Sequence, residues 1–488
     1  MSADAPLVVI GDALLDRDVE GAVERLAPDA PVPVLDELRT RARPGGAALA
    51  AALAAAEGRP VTLVTALAGD DAGVELAALI AAAGVELVDL GLDGATPEKI
   101  RLRTAAGQPL LRLDRGSARG CPVGRATAAA RAAIGWASAL LVADYGRGVA
   151  AEPGIRAALT ERAAAEDRVP LAWDPHPRGA APTPGVLLAT PNEREAAAFA
   201  PEVAGDGLAA IAERAASLRR RWGAAHVCVT RGRHGALLDG GDGPPLAVSA
   251  PAAGLAADPC GAGDRFAAKA AALLADGARC DEAVEAAVEA ASRFVAAGGA
   301  TSFRLPGDDV VAAPVGRAPA LPPTAAGSRA PTASGLAAAE ALLATVRARG
   351  GTTVATGGCF DLLHAGHVRT LEAARALGDC LVVCLNDDAS VRRLKGSARP
   401  LVPVRDRAAV LAALACVDAV VVFGEDTPAA LLERLRPDVW AKGGDYAGTP
   451  LPEAAALAGW GGRAVVLPHH TGHSTTRLIE EAANRAAS

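Results

Sequence analysis

The sequence predicts an α/β protein of two domains, each built on a parallel sheet flanked by helices, and three observations lead there. Runs that are apolar throughout alternate with Ala-rich helical stretches: LVVIGD, VTLVTALAGD, ALLVADYG, VPLAWDP, GVLLATPN and HVCVTRG. Strands without polar alternation are buried on both sides, and intervening helices provide parallel crossovers. The alternation stops over residues 311–335, VAAPVGRAPALPPTAAGSRAPTASG, which are rich in Pro, Ala, Gly and Ser and lack periodicity. Such a stretch reads as a linker. Finally, 488 residues are too many for one hydrophobic core. The expected organisation is a first domain over 1–310, a linker over 311–335 and a smaller domain over 336–488.

Composition narrows the function classes. The chain is 51% hydrophobic and 22% charged, which is globular rather than disordered. Roughly a quarter of it is Ala, so short Ala/Gly motifs arise by chance more often than usual. A net charge of −7 offers no basic face for nucleic acid. Arg219-Arg220-Arg221 reads as a solvated helix face. Eight cysteines lack paired spacing, which supports neither a zinc site nor a disulfide framework and suits a reducing cytoplasm. The first residues, MSADAPLVVIGD, place no basic region ahead of an apolar one, so no signal peptide is expected. No apolar run approaches a membrane span.

In the second domain, GLAAAEALLATVRARG reads as a helix and TTVAT as a strand that ends in Gly357-Gly358-Cys359-Phe360-Asp361-Leu362-Leu363-His364-Ala365-Gly366-His367. Glycines at a strand-to-helix turn let backbone N–H groups approach phosphate oxygens, and the helix N-terminus adds positive potential. His364 and His367 lie one helical turn apart, so both imidazoles can donate to a crowded, negative phosphorus centre. A bare HxxH is more often an incidental cap, but the strand, the glycines and Phe360-Asp361 set this one apart. No Glu follows the first His, so a metalloprotease helix is excluded. Asn386-Asp387-Asp388 closes the next strand, where the ligand crevice of a parallel sheet lies. Arg392, Arg393 and Lys395 in SVRRLKG could hold triphosphate or pyrophosphate. Lys442-Gly443-Gly444-Asp445 ends another strand, and His473-Ser474-Thr475-Thr476 opens the final helix, where hydroxyls and N–H groups bind phosphate. The candidate nucleotide-binding residues are Gly358, Cys359, Phe360, Lys395, Lys442, Ser474, Thr475 and Thr476. Departure of pyrophosphate is eased by a divalent cation, so Mg²⁺ is expected.

The first domain offers Asp258-Pro259-Cys260-Gly261-Ala262-Gly263-Asp264, leading into the helix AAKAAALLADG. Gly261, Ala262 and Gly263 form a backbone nest for a transferring phosphate. Asp264 stands where a general base for a sugar hydroxyl belongs. In so glycine-rich a chain a stray GAGD has roughly a one-in-ten chance of arising; its companions distinguish this one.

Those companions carry a resemblance to the ribokinase-like (PfkB) sugar kinases from Val8 to about Ser302. Gly11-Asp12 with Asp16 ends the first strand as that family's sugar-binding strand does. Pro44-Gly45-Gly46-Ala47-Ala48 matches its diglycine turn, and Gly69-Asp70-Asp71 follows the second strand. Pro191-Asn192-Glu193-Arg194-Glu195 matches the PNxxE element tied to Mg²⁺ and phosphate. Thr230-Arg231-Gly232 with Gly235 resembles the turn ahead of the nucleotide base. The second domain resembles the HxGH nucleotidyltransferases, a Rossmann-like family. The first of these resemblances implies a three-layer ribokinase-like domain with a sugar site at Asp12, Asp16, Gly45 and Gly46. Its ATP and phosphate site is expected at Asn192, Glu195, Thr230, Gly232, Gly261, Ala262 and Gly263, with Mg²⁺ held through Glu195 and phosphates rather than by a firm metal cage.

The fusion of the two resembles one known family, the bifunctional heptose-7-phosphate kinase and heptose-1-phosphate adenylyltransferases of ADP-heptose synthesis. RLAPDAPVPV at Arg25–Val34 looks like that family's substrate-side and dimer-forming segment. QPLLRLD at Gln108–Asp114 and Ala143-Asp144-Tyr145 fit as well, and LNDDASVRRLKG, EDTP and KGGDY run in register with it. The resemblance implies ATP as substrate, sugar phosphates as partners, a dimer through the kinase domain and neither nucleic acid nor membrane. Leu49, His176, Cys260 and Arg265 depart from the family's usual residues. Two alternatives stay open at this point: a sugar or polyol kinase fused to a cytidylyltransferase, and a transferase carrying a non-catalytic sugar-phosphate-binding module.

Overall fold

The computed structural model describes residues 5–116, 121–241, 243–251, 258–305, 333–443 and 451–468. The chain divides into two compact units. The first holds Met1–Glu202, Arg214–Ala236 and Ala250–Asp308; the second holds Val203–Glu213, Leu237–Ser249 and Asp309–Ser488. Two short stretches expected in the first domain thus belong to the second unit. Residues 306–332, most of the expected linker, lie outside the described residues. Its last three residues are built into the fold: Ala333–Ser334 is a strand, and Gly335 is the N-cap of the helix Leu336–Ala348.

In the first unit seven strands run parallel, in the order Glu86–Asp89, Val61–Thr65, Leu7–Gly11, Ala139–Ala143, Leu171–Asp174, Leu188–Ala189 and His226–Thr230. Leu7–Gly11, Val61–Thr65 and Ala139–Ala143 are buried at every residue, as strands covered on both faces must be. The helix Ala47–Ala55 is buried from Ala47 to Ala54, so it has no polar face. Its small side chains let it pack closely on the strands and on the helix Ala262–Ala275. A second sheet joins Pro33–Gly46, Ala13–Leu26, Glu98–Thr104 and Pro109–Arg115 in that order. The last of these strands is exposed at every residue.

Among the described residues of the second unit seven strands run parallel, in the order Ala333–Ser334, Ala419–Phe423, Cys380–Asn386, Thr353–Gly358, Val439–Lys442, Arg463–Val466 and Leu246–Val248. Trp440 is fully buried at its centre. A Cβ on Gly357 would sit 2.7 Å from the Trp440 ring, so this glycine leaves the indole its space. Trp440→Ala should therefore lower the unfolding free energy of this unit by about 3–5 kcal/mol in denaturant titration. A loss below about 1 kcal/mol would mean that the core is organised elsewhere.

Candidate active sites

In the first unit the neighbouring strands Leu7–Gly11 and Ala139–Ala143 finish level, with Gly11 opposite Ala143. The chain then turns into Asp12, which is 3% exposed. Its Oδ2 accepts the N–H groups of Tyr145 and Arg147 at 3.0 and 2.9 Å, and its Oδ1 accepts that of Val149 at 3.1 Å. One carboxylate therefore folds the whole 145–149 turn. Asp144 works alongside it, accepting from Gly146 at 2.7 Å and from Ala180, in the loop after Leu171–Asp174, at 3.1 Å. Burial, then Asp12, push the Asp144 carboxyl up to about 7.

The turn places the Tyr145 hydroxyl against the expected base, donating to Asp264 Oδ1 at 2.5 Å. Asp264 is 7% exposed and lies in the first turn of Ala262–Ala275. Burial raises its carboxyl to about 6, against the lowering effects of the Tyr145 hydrogen bond and of Lys99. Gly261, the N-cap, has φ +78°, and a Cβ there would sit 2.9 Å from Leu49, which accounts for both the glycine and the buried Leu49. Gly263 faces open space, where a phosphate can approach the N–H groups of the first turn.

The expected sugar residues are at this edge, but their carboxylates are already engaged. Asp12 serves the backbone, while Asp16 accepts from Arg101 at 2.7 Å. A Cβ on Gly45 would meet Asp16 Oδ2 at 2.6 Å, and one on Gly46, at φ +60°, would meet the Asp12 carbonyl at 2.6 Å. The diglycine thus makes room for Asp16 and turns the chain into its helix. Beside Tyr145 opens a cavity of about 670 Å³ lined by Lys99, Arg112, Arg147, His176 and Arg178. Burial, then Arg178, hold His176 below its ordinary value, and its Nδ1 accepts the Arg178 N–H at 3.1 Å. These cations suit a phosphorylated substrate. Sequence reasoning did not single out Lys99, Arg147 or Arg178; the signal for Arg147 was its place three residues after Asp144. Cys260 Sγ accepts from Arg101 at 3.1 Å. Arg265 pairs with Glu57, away from the base.

Asn192 and Glu195 cap the helix Glu193–Phe199 reciprocally, at 3.0 and 2.8 Å. Thr230 donates its N–H to the Pro191 carbonyl at 2.9 Å, which sets Asn192 and Thr230 side by side, and Gly232, at φ +54°, faces open space. Asp174 is pushed well above the usual carboxylate range by burial, then by Glu195 and Asp264; burial also raises Glu195. Two carboxyls strained in this way fit a divalent cation that would relieve both. Among the described residues no group of three or more His, Cys, Asp or Glu is placed to hold a metal ion.

In the second unit the strand Thr353–Gly358 delivers Cys359 and Phe360 to the turn, with Phe360 at φ +44°. His364 is the N-cap of Ala365–Arg375, and its ring stacks on that of His367 at 3.9 Å between centroids. Phe360 lies 5.4 Å from His367. Burial, then His364, lower His367 to about 4, so this imidazole is neutral at physiological pH. Asp361 accepts the N–H groups of Leu401 and Val402 at 2.7 and 3.0 Å. Arg407, absent from the sequence-based candidates, has a fully buried side chain. It donates to the carbonyls of Cys359, Asn386 and Val402 at 2.5, 2.9 and 2.9 Å, and to Asp388 at 2.7 Å. Its position inside a helix, with no motif around it, gave no signal.

Lys395 is exposed in the last turn of Asp388–Lys395, close enough to lower the Cys359 thiol against the stronger effect of burial. Arg393 pairs with Asp426 at 2.7 Å. Lys442 is held 3.7 Å from Glu453, a partner the sequence did not suggest. Ser474, Thr475 and Thr476 lie outside the described residues.

A buried carboxyl beside a helix N-terminus and a cationic cavity fits a sugar-kinase class of site, and paired histidines after a parallel strand fit a nucleotidyltransferase. The pfkB family carbohydrate kinase model matches residues 4–306, and a cytidylyltransferase-like model matches 355–481. A bifunctional protein HldE from Streptomyces coelicolor is 56% identical over 99% of this chain and 97% of its own. One from Azorhizobium caulinodans is 41% identical over 98% of each. A solved Arabidopsis thaliana ribokinase with ribose and ATP is 22% identical over 60% of this chain and 92% of its own, with a TM-score of 0.46. The chain belongs to the family of bifunctional HldE proteins, as a PfkB-type kinase joined to a nucleotidyltransferase. Among the described residues no helix is long and apolar enough to cross a membrane.

The lowered His367 has a consequence for stability. The unfolded chain binds a proton near the ordinary histidine value of 6.5 that the folded site accepts only near 4. Stability of this unit should fall as pH drops from about 6.5 towards 4, and His367→Asn should flatten that fall. Parallel pH-stability curves for the two proteins would contradict the assigned environment.

Proposed function

We propose that the chain makes an ADP-activated heptose in two reactions, phosphorylating heptose 7-phosphate at C1 with ATP and transferring AMP from ATP to heptose 1-phosphate with release of pyrophosphate. The observation that carries this reading is the buried Asp264 beside a cavity whose cations suit a substrate that is already phosphorylated. HldE relatives that match nearly the whole chain support it.

In the kinase reaction Asp264 takes the proton of the C1 hydroxyl as that oxygen attacks the γ-phosphorus, and ADP departs. N–H groups of the first helical turn meet the charge on the transferring phosphoryl group. Lys99, Arg147 and Arg178 hold the 7-phosphate and fix the sugar's orientation. Asp174 and Glu195 would hold Mg²⁺ against the ATP phosphates, where the ion neutralises developing charge.

In the transferase reaction a sugar phosphate oxygen attacks the α-phosphorus. That oxygen is already ionised, so no base is required, and His364 and His367 serve as donors. Because His367 titrates near 4, it donates from one ring nitrogen until a bound triphosphate favours its protonation. The cytidylyltransferase-like family model keeps CTP as a second reading.

A dimer would form through the second sheet, where Leu26, Leu38, Leu110, Leu111 and Leu113 are exposed. Eight free thiols suit a reducing cytoplasm.

Asp264→Asn should lower sugar phosphorylation by roughly 10²- to 10⁴-fold while nucleotidyl transfer stays largely intact. Loss of both activities in a folded protein would refute separate sites. His364→Ala or His367→Ala should lower nucleotidyl transfer about a hundredfold or more, with substrate binding less affected. A change in KM alone would remove the histidines from the transition state.

A further inference from the structure

We propose that Tyr145 is a positioning residue for the kinase base: its hydroxyl occupies one oxygen of Asp264 and leaves the other aimed at the sugar hydroxyl. The proposal rests on the kinase reading of this site.

The ring is fixed on several sides before its hydroxyl reaches the base. Its backbone N–H is held by Asp12 Oδ2 at 3.0 Å. Lys99 Nζ lies 5.2 Å from the ring centroid, a cation over an aromatic face. The position a Cβ would take on Gly46 is 3.4 Å from Tyr145 Cε2, so the glycine lets the ring lie close to the diglycine turn. With the ring set, the hydroxyl meets Asp264 Oδ1 at 2.5 Å. A carboxylate that receives one donor in a fixed direction loses rotational freedom and keeps its second oxygen for the substrate proton.

The same hydrogen bond favours the ionised base. Burial drives the Asp264 carboxyl up, and the tyrosine is the first of the influences that bring it back down. The other groups facing the pair come from every side. Lys99 on Glu98–Thr104 stabilises the anion, and Asp16 on Ala13–Leu26 opposes it. Asp174 ends Leu171–Asp174, and Asp12 and Asp144 hold the turn itself. Ala47–Ala55 brings no titratable group, and Cys280–Ala296 approaches Gly261 through Phe294.

Phosphorylation needs the ionised base, so kcat/KM falls as pH drops through the free enzyme's value of about 6. Without the hydroxyl the base ionises at higher pH, so the acid limb moves upward.

The test is the pH profile of kcat/KM for heptose 7-phosphate in the wild-type full chain and in Tyr145→Phe, which keeps the ring. Denaturant unfolding of the first unit in both proteins serves as the check on folding. The expected result is an acid limb displaced to higher pH. At pH 6 the variant should fall roughly fivefold further below its own plateau than the wild type does. Its plateau should recover to within about tenfold of wild type. A lowered plateau with an unmoved limb would assign Tyr145 to packing or substrate contact and overturn the proposal, as would an unchanged profile. A wild-type chain without sugar-phosphate kinase activity would overturn the kinase reading, and the positioning role with it.

Discussion

The buried carboxylate of Asp12 is the contact on which the first site depends. A parallel sheet ends in a row of strands whose next loops must be held at one edge without regular hydrogen bonding. Asp12 solves this by accepting three N–H groups from the 145–149 turn. Everything the turn carries is then placed: Tyr145 on Asp264, Arg147 in the cationic cavity and, through Asp144, the loop with His176 and Arg178. Hydrogen bonds to an ionised acceptor are the stronger kind, which suits one side chain to organise so much backbone.

The second unit meets the same constraint with the opposite charge. Arg407 is fully buried and donates to three carbonyls from three separate segments, with Asp388 as its counter-ion. It fixes the turn after Thr353–Gly358 relative to the end of Cys380–Asn386. Removing either organiser would leave several buried backbone groups unpaired, a cost well beyond one hydrogen bond.

The sequence disclosed the scaffold better than the wiring. Uniform apolar runs marked the parallel strands of both sheets, because burial on both faces erases alternation. Gly261, Gly263 and Asp264, and His364 with His367, stand out in the sequence because phosphate chemistry favours those residue types at fixed spacing. Asp12 and Asp16 lie just beyond the strand Leu7–Gly11, yet the backbone and Arg101 occupy them, which spacing does not reveal. Tyr145 and Arg407 were missed as organisers because their partners lie 119 and 48 residues away for Asp264 and Cys359 respectively. Contacts of such sequence separation leave no local pattern. Leu49 and Arg265, departures from the family, proved to be a packing residue and an outward ion pair.

The central claim is that one chain carries two phosphorus chemistries, each on its own sugar phosphate. The most direct measurement incubates the purified full chain with equal ATP and CTP and a panel of heptose and hexose phosphates, with products read by mass spectrometry. The account predicts a heptose bisphosphate from heptose 7-phosphate, and ADP-heptose with pyrophosphate from heptose 1-phosphate. A CDP-sugar as the main product, or no bisphosphate while nucleotidyl transfer proceeds, would contradict it.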